Sequence, residues 1–200
     1  MSEKVLLAVI GILVSAIIAV GLFWHPEDTP PKAALNPLPA GGDFVLQSAN
    51  GPVALTDFRG KLSLLYFGYT YCPDICPTTL STLSAGLAEL TPAEREQVSV
   101  LFISVDPERD TVSHLQTYVQ FFDPSIRGMT GSAEQIAEIA ARYGVFYQKQ
   151  VAESAGDGYV VDHSSDTFIV GRDGRVKARM AHGIAPAQVA ALIRQYLNQP

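Results

Sequence analysis

The chain contains two cysteines, Cys72 and Cys76, four residues apart in the run Phe67-Gly68-Tyr69-Thr70-Tyr71-Cys72-Pro73-Asp74-Ile75-Cys76-Pro77. Thiols at i and i+4 on the first turn of a helix share a face, with Cα atoms about 6 Å apart. That separation suits either a disulfide or a two-sulfur grip on a metal ion. Amides at a helix N-terminus also favour the thiolate, the form that attacks disulfides and ligates metals. A purely structural bridge is the blander use. Closing so short a loop removes little unfolded-chain entropy, so stapling is a weak role for it.

The third candidate donor is His163, in the polar stretch Asp162-His163-Ser164-Ser165-Asp166. Imidazole is a common metal ligand, and a neighbouring carboxylate or hydroxyl can fix its ring. Two thiolates and one imidazole make a soft three-donor set. It suits Cu(I), and equally accepts zinc with water in the fourth position. His25, His114 and His182 read as solvated residues: the first in a spacer, the second on the exposed side of a helix, the third after the last strand. Met129 and Met180 are isolated and read as core filler. Asp74 reads as an anion at a helix N-terminus rather than as a weak extra ligand, and Asp106, Arg109 and Asp110 as a strand-to-helix loop with local capping, near enough to the site for a partner contact as well.

These donors need a scaffold, and the apolar pattern supplies one. Phe44–Gln47 and Val53–Leu55 flank the turn-forming Asn50-Gly51-Pro52 and predict a hairpin. Leu62–Phe67 and Val98–Val105 are unbroken apolar runs, as expected of strands buried on both faces. Leu80, Leu83, Leu87 and Leu90 recur at helical spacing, as do Val112, Leu115, Tyr118, Val119 and Phe122. Thr91-Pro92-Ala93-Glu94 and Ser132-Ala133-Glu134-Gln135 are capping boxes, the second opening a helix that ends at Gly144. Val145–Val151 alternates weakly. Thr167–Val170 and Arg175–Ala181 are strands joined by Gly171-Arg172-Asp173-Gly174, and a last amphipathic helix covers Ala187–Leu197.

This order is an α/β sandwich. A cysteine pair at the end of the first buried strand, opening a helix, is where a thioredoxin-like fold carries its active site. In that arrangement the loop before the C-terminal hairpin, which holds His163, lies beside the cysteines.

Ahead of the domain, Val5–Trp24 is twenty residues without a charge, long enough to cross a hydrocarbon core of about 30 Å as a helix. Trp24-His25-Pro26 offers no small-residue cleavage site, so a retained single-pass transmembrane anchor is expected over residues 1–24. Lys4 before it and Glu27 and Asp28 after it put the rest of the chain outside the cytoplasm. No Arg- and Ser-rich transit peptide precedes it, which points to a bacterial inner membrane with the C-terminal domain in the periplasm. Residues 25–40 hold five prolines and read as an extended linker, leaving 41–200 as the folded domain. A net charge of −6 and a pI near 5.1, with no Lys/Arg cluster, argue against a nucleic-acid partner. In an oxidising compartment two neighbouring thiols form a disulfide unless something reduces or metallates them.

Taken in order, Tyr66 to Pro77, Ser104-Val105-Asp106-Pro107-Glu108-Arg109-Asp110 and Asp162-His163-Ser164 resemble the SCO/SenC family over Gly41–Leu197. Those proteins are membrane-anchored copper chaperones of thioredoxin fold. The resemblance implies that Cys72, Cys76 and His163 bind copper as Cu(I) or Cu(II), and that the client is the dinuclear copper site of cytochrome c oxidase subunit II. It also implies a copper-donor chaperone and a periplasmic thiol reductase as partners. Tyr71 stands where many members carry histidine, but that position is not one of the family's three ligands.

A second reading is a thiol-disulfide oxidoreductase in which Cys72 and Cys76 are the catalytic attacking and resolving thiols. A peroxiredoxin-type reading fails on the sequence. The Pro-x-x-x-Thr-x-x-Cys loop of such peroxidases would need proline and threonine where Leu65 and Tyr69 stand.

Overall fold

Leu62–Gly68 forms strand β3, and all seven of its residues are buried, as an uninterrupted apolar run requires. The computed structural model describes residues 38–151 and 158–199, together with Val5, Ile10, Gly11, Leu13 and Ser15. The chain divides into the units Met1–Lys32 and Ala33–Pro200. In the first, the five described residues are helical, and the Ser15 hydroxyl donates to the Gly11 carbonyl at 2.9 Å. The remainder of the expected anchor over 5–24, and most of the linker over 25–40, lie outside the described residues. Among the described residues no helix is long and apolar enough to cross a membrane.

In the second unit the hairpin pairs β1 (Val45–Ser48) with β2 (Gly51–Ala54). After β3 come helix α1 (Ile75–Ala88), the short α2 (Pro92–Arg95), strand β4 (Val98–Ser104) and α3 (Val112–Phe122). Strand β5 (Ile126–Thr130), α4 (Ala133–Tyr143), β6 (Tyr147–Val151) and β7 (Tyr159–His163) follow. The chain closes with β8 (Thr167–Val170), β9 (Val176–Met180) and α5 (Pro186–Leu197).

Seven strands make one sheet in the order β2-β1-β5-β4-β3-β8-β9. β3, β4 and β5 run parallel, while β1 joins β5, and β8 joins β3, antiparallel. Helices α1 and α2 carry the crossover from β3 to β4, and α3 that from β4 to β5, because parallel neighbours need a long return path. Successive side chains of β3 leave opposite faces of the sheet. Tyr66 meets Phe102, which in turn meets Tyr118 of α3; Phe67 meets Tyr143 at the end of α4 and Phe168 of β8. Both faces are therefore covered.

The capping boxes at Thr91 and Ser132 form as expected, and α4 ends at Gly144 with φ 64°, a left-handed turn that glycine adopts at no steric cost. Two differences from the sequence reading matter. Residues 126–130 received no strand assignment, since Arg127 and Gly128 interrupt the apolar pattern, yet they form β5 between β1 and β4. Strands β6 and β7 stand apart from the main sheet as an antiparallel pair in which Tyr147 faces His163. His163 is thus the last residue of a strand rather than part of a loop.

Candidate metal centre

Helix α1 begins only at Ile75, after a bend at Pro73 and Asp74. The expectation that both thiols sit on one helical turn is corrected accordingly: Cys76 is in the first turn and Cys72 lies just ahead of the bend. The Asp74 N-cap side chain makes no capping hydrogen bond to the following amides; it accepts instead from the Thr78 hydroxyl at 3.3 Å. The sulfur of Cys72 takes over, accepting the Cys76 backbone N–H at 3.4 Å. One of the orphan amides of the helix start is thereby spent on a thiol.

Cys76 is fully buried. It lies against Gly68 so closely that a Cβ on that glycine would stand 2.6 Å from its sulfur and 2.9 Å from the Phe102 ring. The Tyr66 hydroxyl donates to the same sulfur at 3.6 Å. On the open side stands His163, whose Nε2 is 3.3 Å from Cys76 Sγ. The other ring nitrogen, Nδ1, lies 2.8 Å from the Ser164 carbonyl oxygen. A carbonyl only accepts, so Nδ1 carries a proton and Nε2 is the ring nitrogen left to face the sulfurs. The edge of the Tyr69 ring packs against the imidazole at 5.7 Å, while the Tyr69 hydroxyl accepts from Val161 N–H in β7.

Sγ of Cys72, Sγ of Cys76 and a ring nitrogen of His163 lie within 4.8 Å of one another, a group able to hold a metal ion. Donors 2.0–2.3 Å from one ion stand roughly 3.5–4 Å apart, so little movement closes the set. An open cleft of about 500 Å³ leads to it between Pro73, Ile75, Val160 and Asp162. The thiols are free and unlike each other. The Cys76 thiol beside it, with help from His163 and the backbone amides of Asp74 and Cys76, pulls Cys72 strongly toward the thiolate against the opposing effect of burial. Burial, reinforced by that neighbouring charge, keeps Cys76 protonated.

A buried support that sequence reasoning treated as local capping holds the cysteine loop. Asp106 and Asp110 are completely buried. Asp110 accepts from the Thr70 backbone and hydroxyl and from the Ser104 hydroxyl. Asp106 binds Arg109 Nε at 2.5 Å and the Tyr159 hydroxyl at 2.9 Å. The Arg109 guanidinium lies over the rings of Tyr159 (3.7 Å) and Tyr71 (4.8 Å) and donates to the Tyr159 carbonyl, so it ties the start of β7 to the cysteine loop. The signal was present in the density of Asp and Arg just after a buried strand. Of the other histidines, His114 is exposed and stacks on Tyr71, whereas His182, expected to be solvated, is half-buried with Nδ1 2.9 Å from Thr79 Oγ1. Met129 and Met180 are core residues. His25 lies outside the described residues.

Comparison with known proteins agrees with this arrangement. The SCO1/SenC family model matches residues 32–198. The bovine mitochondrial protein SCO2 homolog is 41% identical over 161 residues, covering 78% of this chain and 59% of that protein. The solution structure of apo Sco1 from Thermus thermophilus is 42% identical with a TM-score of 0.72, covering 82% of this chain and 94% of that one. Bradyrhizobium japonicum ScoI, solved with copper bound, is 37% identical with a TM-score of 0.72 over 79% of this chain and 99% of its own. BsSco, similar in fold at 24% identity and a TM-score of 0.61 over 82% of this chain and 96% of its own, is described as a member of the Sco family of cytochrome c oxidase assembly proteins. With its thioredoxin-like α/β domain and its Cys-Cys-His cluster, this chain belongs to the SCO1/SenC family.

Proposed function

We propose that the protein is a copper metallochaperone in which Cys72, Cys76 and His163 hold the ion and pass it to the dinuclear copper site on subunit II of a cytochrome c oxidase. The observation that carries this reading is the position of His163 Nε2, 3.3 Å from Cys76 Sγ in a ring held by the Nδ1 bond to Ser164. A soft S₂N set favours copper. Three donors leave a position at which a client thiolate can enter. In support, copper is bound in the solved Bradyrhizobium relative, and BsSco is described as one of a family of cytochrome c oxidase assembly proteins. The reading extends to a retained helix over 5–24, a linker over 25–40 and a periplasmic domain over 41–200, supplied with copper by a donor chaperone.

The test is metal analysis of the reduced protein beside its Cys72→Ser and His163→Ala variants. One copper per chain is expected in the parent and weaker binding in both variants. Unchanged affinity and spectrum in His163→Ala would sink the assignment.

A second reading, thiol-disulfide exchange with the client's copper-ligand cysteines, has its own support in the inequality of the two thiols. An accessible thiolate beside a buried, protonated partner is the arrangement of an attacking and a resolving cysteine. This use needs Cys72 and Cys76 and spares His163, so the same two variants separate the readings.

A further inference from the structure

Beside the metal cluster a polar group enters the core. Tyr66 is a fully buried strand residue whose hydroxyl donates to the Cys76 sulfur at 3.6 Å. One turn of α1 beyond Cys76, the hydroxyl of the buried Thr79 lies 2.9 Å from Nδ1 of the half-buried His182 that follows β9. Tyr66 is thus the buried hydroxyl that meets a candidate ligand sulfur from β3.

The Tyr66 hydroxyl donates to the Cys76 sulfur, and a thiolate accepts such a bond more strongly than a thiol does. A hydrogen bond to a ligating sulfur withdraws charge from it and tunes the potential of the metal it binds.

We propose that Tyr66 is the positioning residue that tunes the Cys76 sulfur as a donor, stabilising its reduced, electron-rich state. Part of the test rests on the copper reading above, and part needs no metal. With copper(II) bound, Tyr66→Phe removes the donor without changing the packing, and the sulfur-to-copper charge-transfer band moves to longer wavelength. Without metal, the protein dithiol plus glutathione disulfide gives the protein disulfide plus two glutathione thiols. Tyr66→Phe moves that equilibrium toward the protein disulfide by about two- to tenfold, the net worth of one hydrogen bond.

Tyr118→Phe is the control. It also removes a buried hydroxyl, but one without a hydrogen-bond partner among the described residues, and leaves both readings unchanged. Failure of the parent protein to take up copper counts against the copper reading and leaves the glutathione equilibrium to decide the role of Tyr66. An unshifted glutathione equilibrium in Tyr66→Phe, or an unshifted band where the parent binds copper, overturns the proposal. Should Tyr66→Phe fail to fold, 3-fluorotyrosine at position 66, a stronger donor to the sulfur, decides: both readings must then move the opposite way, and unmoved readings overturn the proposal.

Discussion

Thr70 is bonded to Asp110 twice, through its backbone N–H at 3.1 Å and its hydroxyl at 2.5 Å, across forty residues of sequence. The pairing fixes the loop that carries Cys72 to the loop that follows β4. Ser104 adds a third donor at 2.6 Å, and the carboxylate has no exposed surface. Asp110→Ala would strand these donors in a site that water does not reach. A loss of about 2–4 kcal/mol in urea unfolding at pH 7 is expected, together with weaker metal binding because Cys72 is no longer held. Asp110→Asn, which keeps one accepting oxygen, should recover part of both.

The close contact at Gly68 makes a second test. Its φ lies outside the left-handed region, so alanine would cost little conformationally; the added methyl would instead press on Cys76 Sγ and on Phe102. Overpacking of this kind costs about 1–3 kcal/mol. Since the methyl would displace a sulfur held 3.6 Å from the Tyr66 hydroxyl and 3.3 Å from His163 Nε2, Gly68→Ala should lose metal affinity out of proportion to its loss of stability. Paired titrations and thermal melts would show it. Equal, small effects on both would mean that the sulfur is not confined.

Much of this could be read without coordinates. The buried runs at 62–68 and 98–104 and the leucine period of α1 are strong local signals, and they place the cysteines at the end of a central strand. His163 was reachable by topology alone. What stayed hidden depends on distant partners. β5 holds its place because β1 and β4 supply hydrogen bonds on either side, which a pattern broken by Arg127 and Gly128 does not announce. Tyr66 reads as one more aromatic in a core strand until α1 brings Cys76 above it. The i, i+4 spacing of the thiols suggests one helical turn, and no local signal marks the bend at Pro73 and Asp74 that delays the start of α1 to Ile75.

Stability should also carry an acid limb set by Asp123. Burial disfavours its charge, but hydrogen bonds from the Ser125 hydroxyl (2.6 Å) and backbone (2.8 Å), with Arg95 opposite, hold the carboxyl below the usual aspartate range. Its folded value is therefore lower than its unfolded one. The stabilisation is complete above the unfolded value and disappears as the pH falls through the folded one. Asp123→Asn should cost about 1–2 kcal/mol at pH 7, with the gap to the parent closing below about pH 4. Urea unfolding at pH 7, 5 and 3 measures the gap directly, and a constant difference across that range would contradict the account.

Cys72 offers the sharpest pH test. The Cys76 thiol, aided by His163 and the amides of Asp74 and Cys76 and resisted by burial, lowers Cys72 to about 3. An ordinary thiol loses alkylation rate about tenfold for each pH unit below 8.5, because only the thiolate reacts. The reduced, metal-free protein should instead react with iodoacetamide at a nearly constant rate from pH 8 down to about pH 5. A single label on Cys72 is expected, since burial keeps Cys76 both protonated and out of reach. By the same depression, the reduced protein grows less stable as the pH falls from the unfolded thiol range toward the folded value. Cys76→Ser retains a donor to the Cys72 sulfur and should keep most of the flat profile, whereas Cys76→Ala should move its midpoint upward. A tenfold fall per pH unit in the parent between pH 8 and 5 would show that the neighbouring thiol does not support the thiolate.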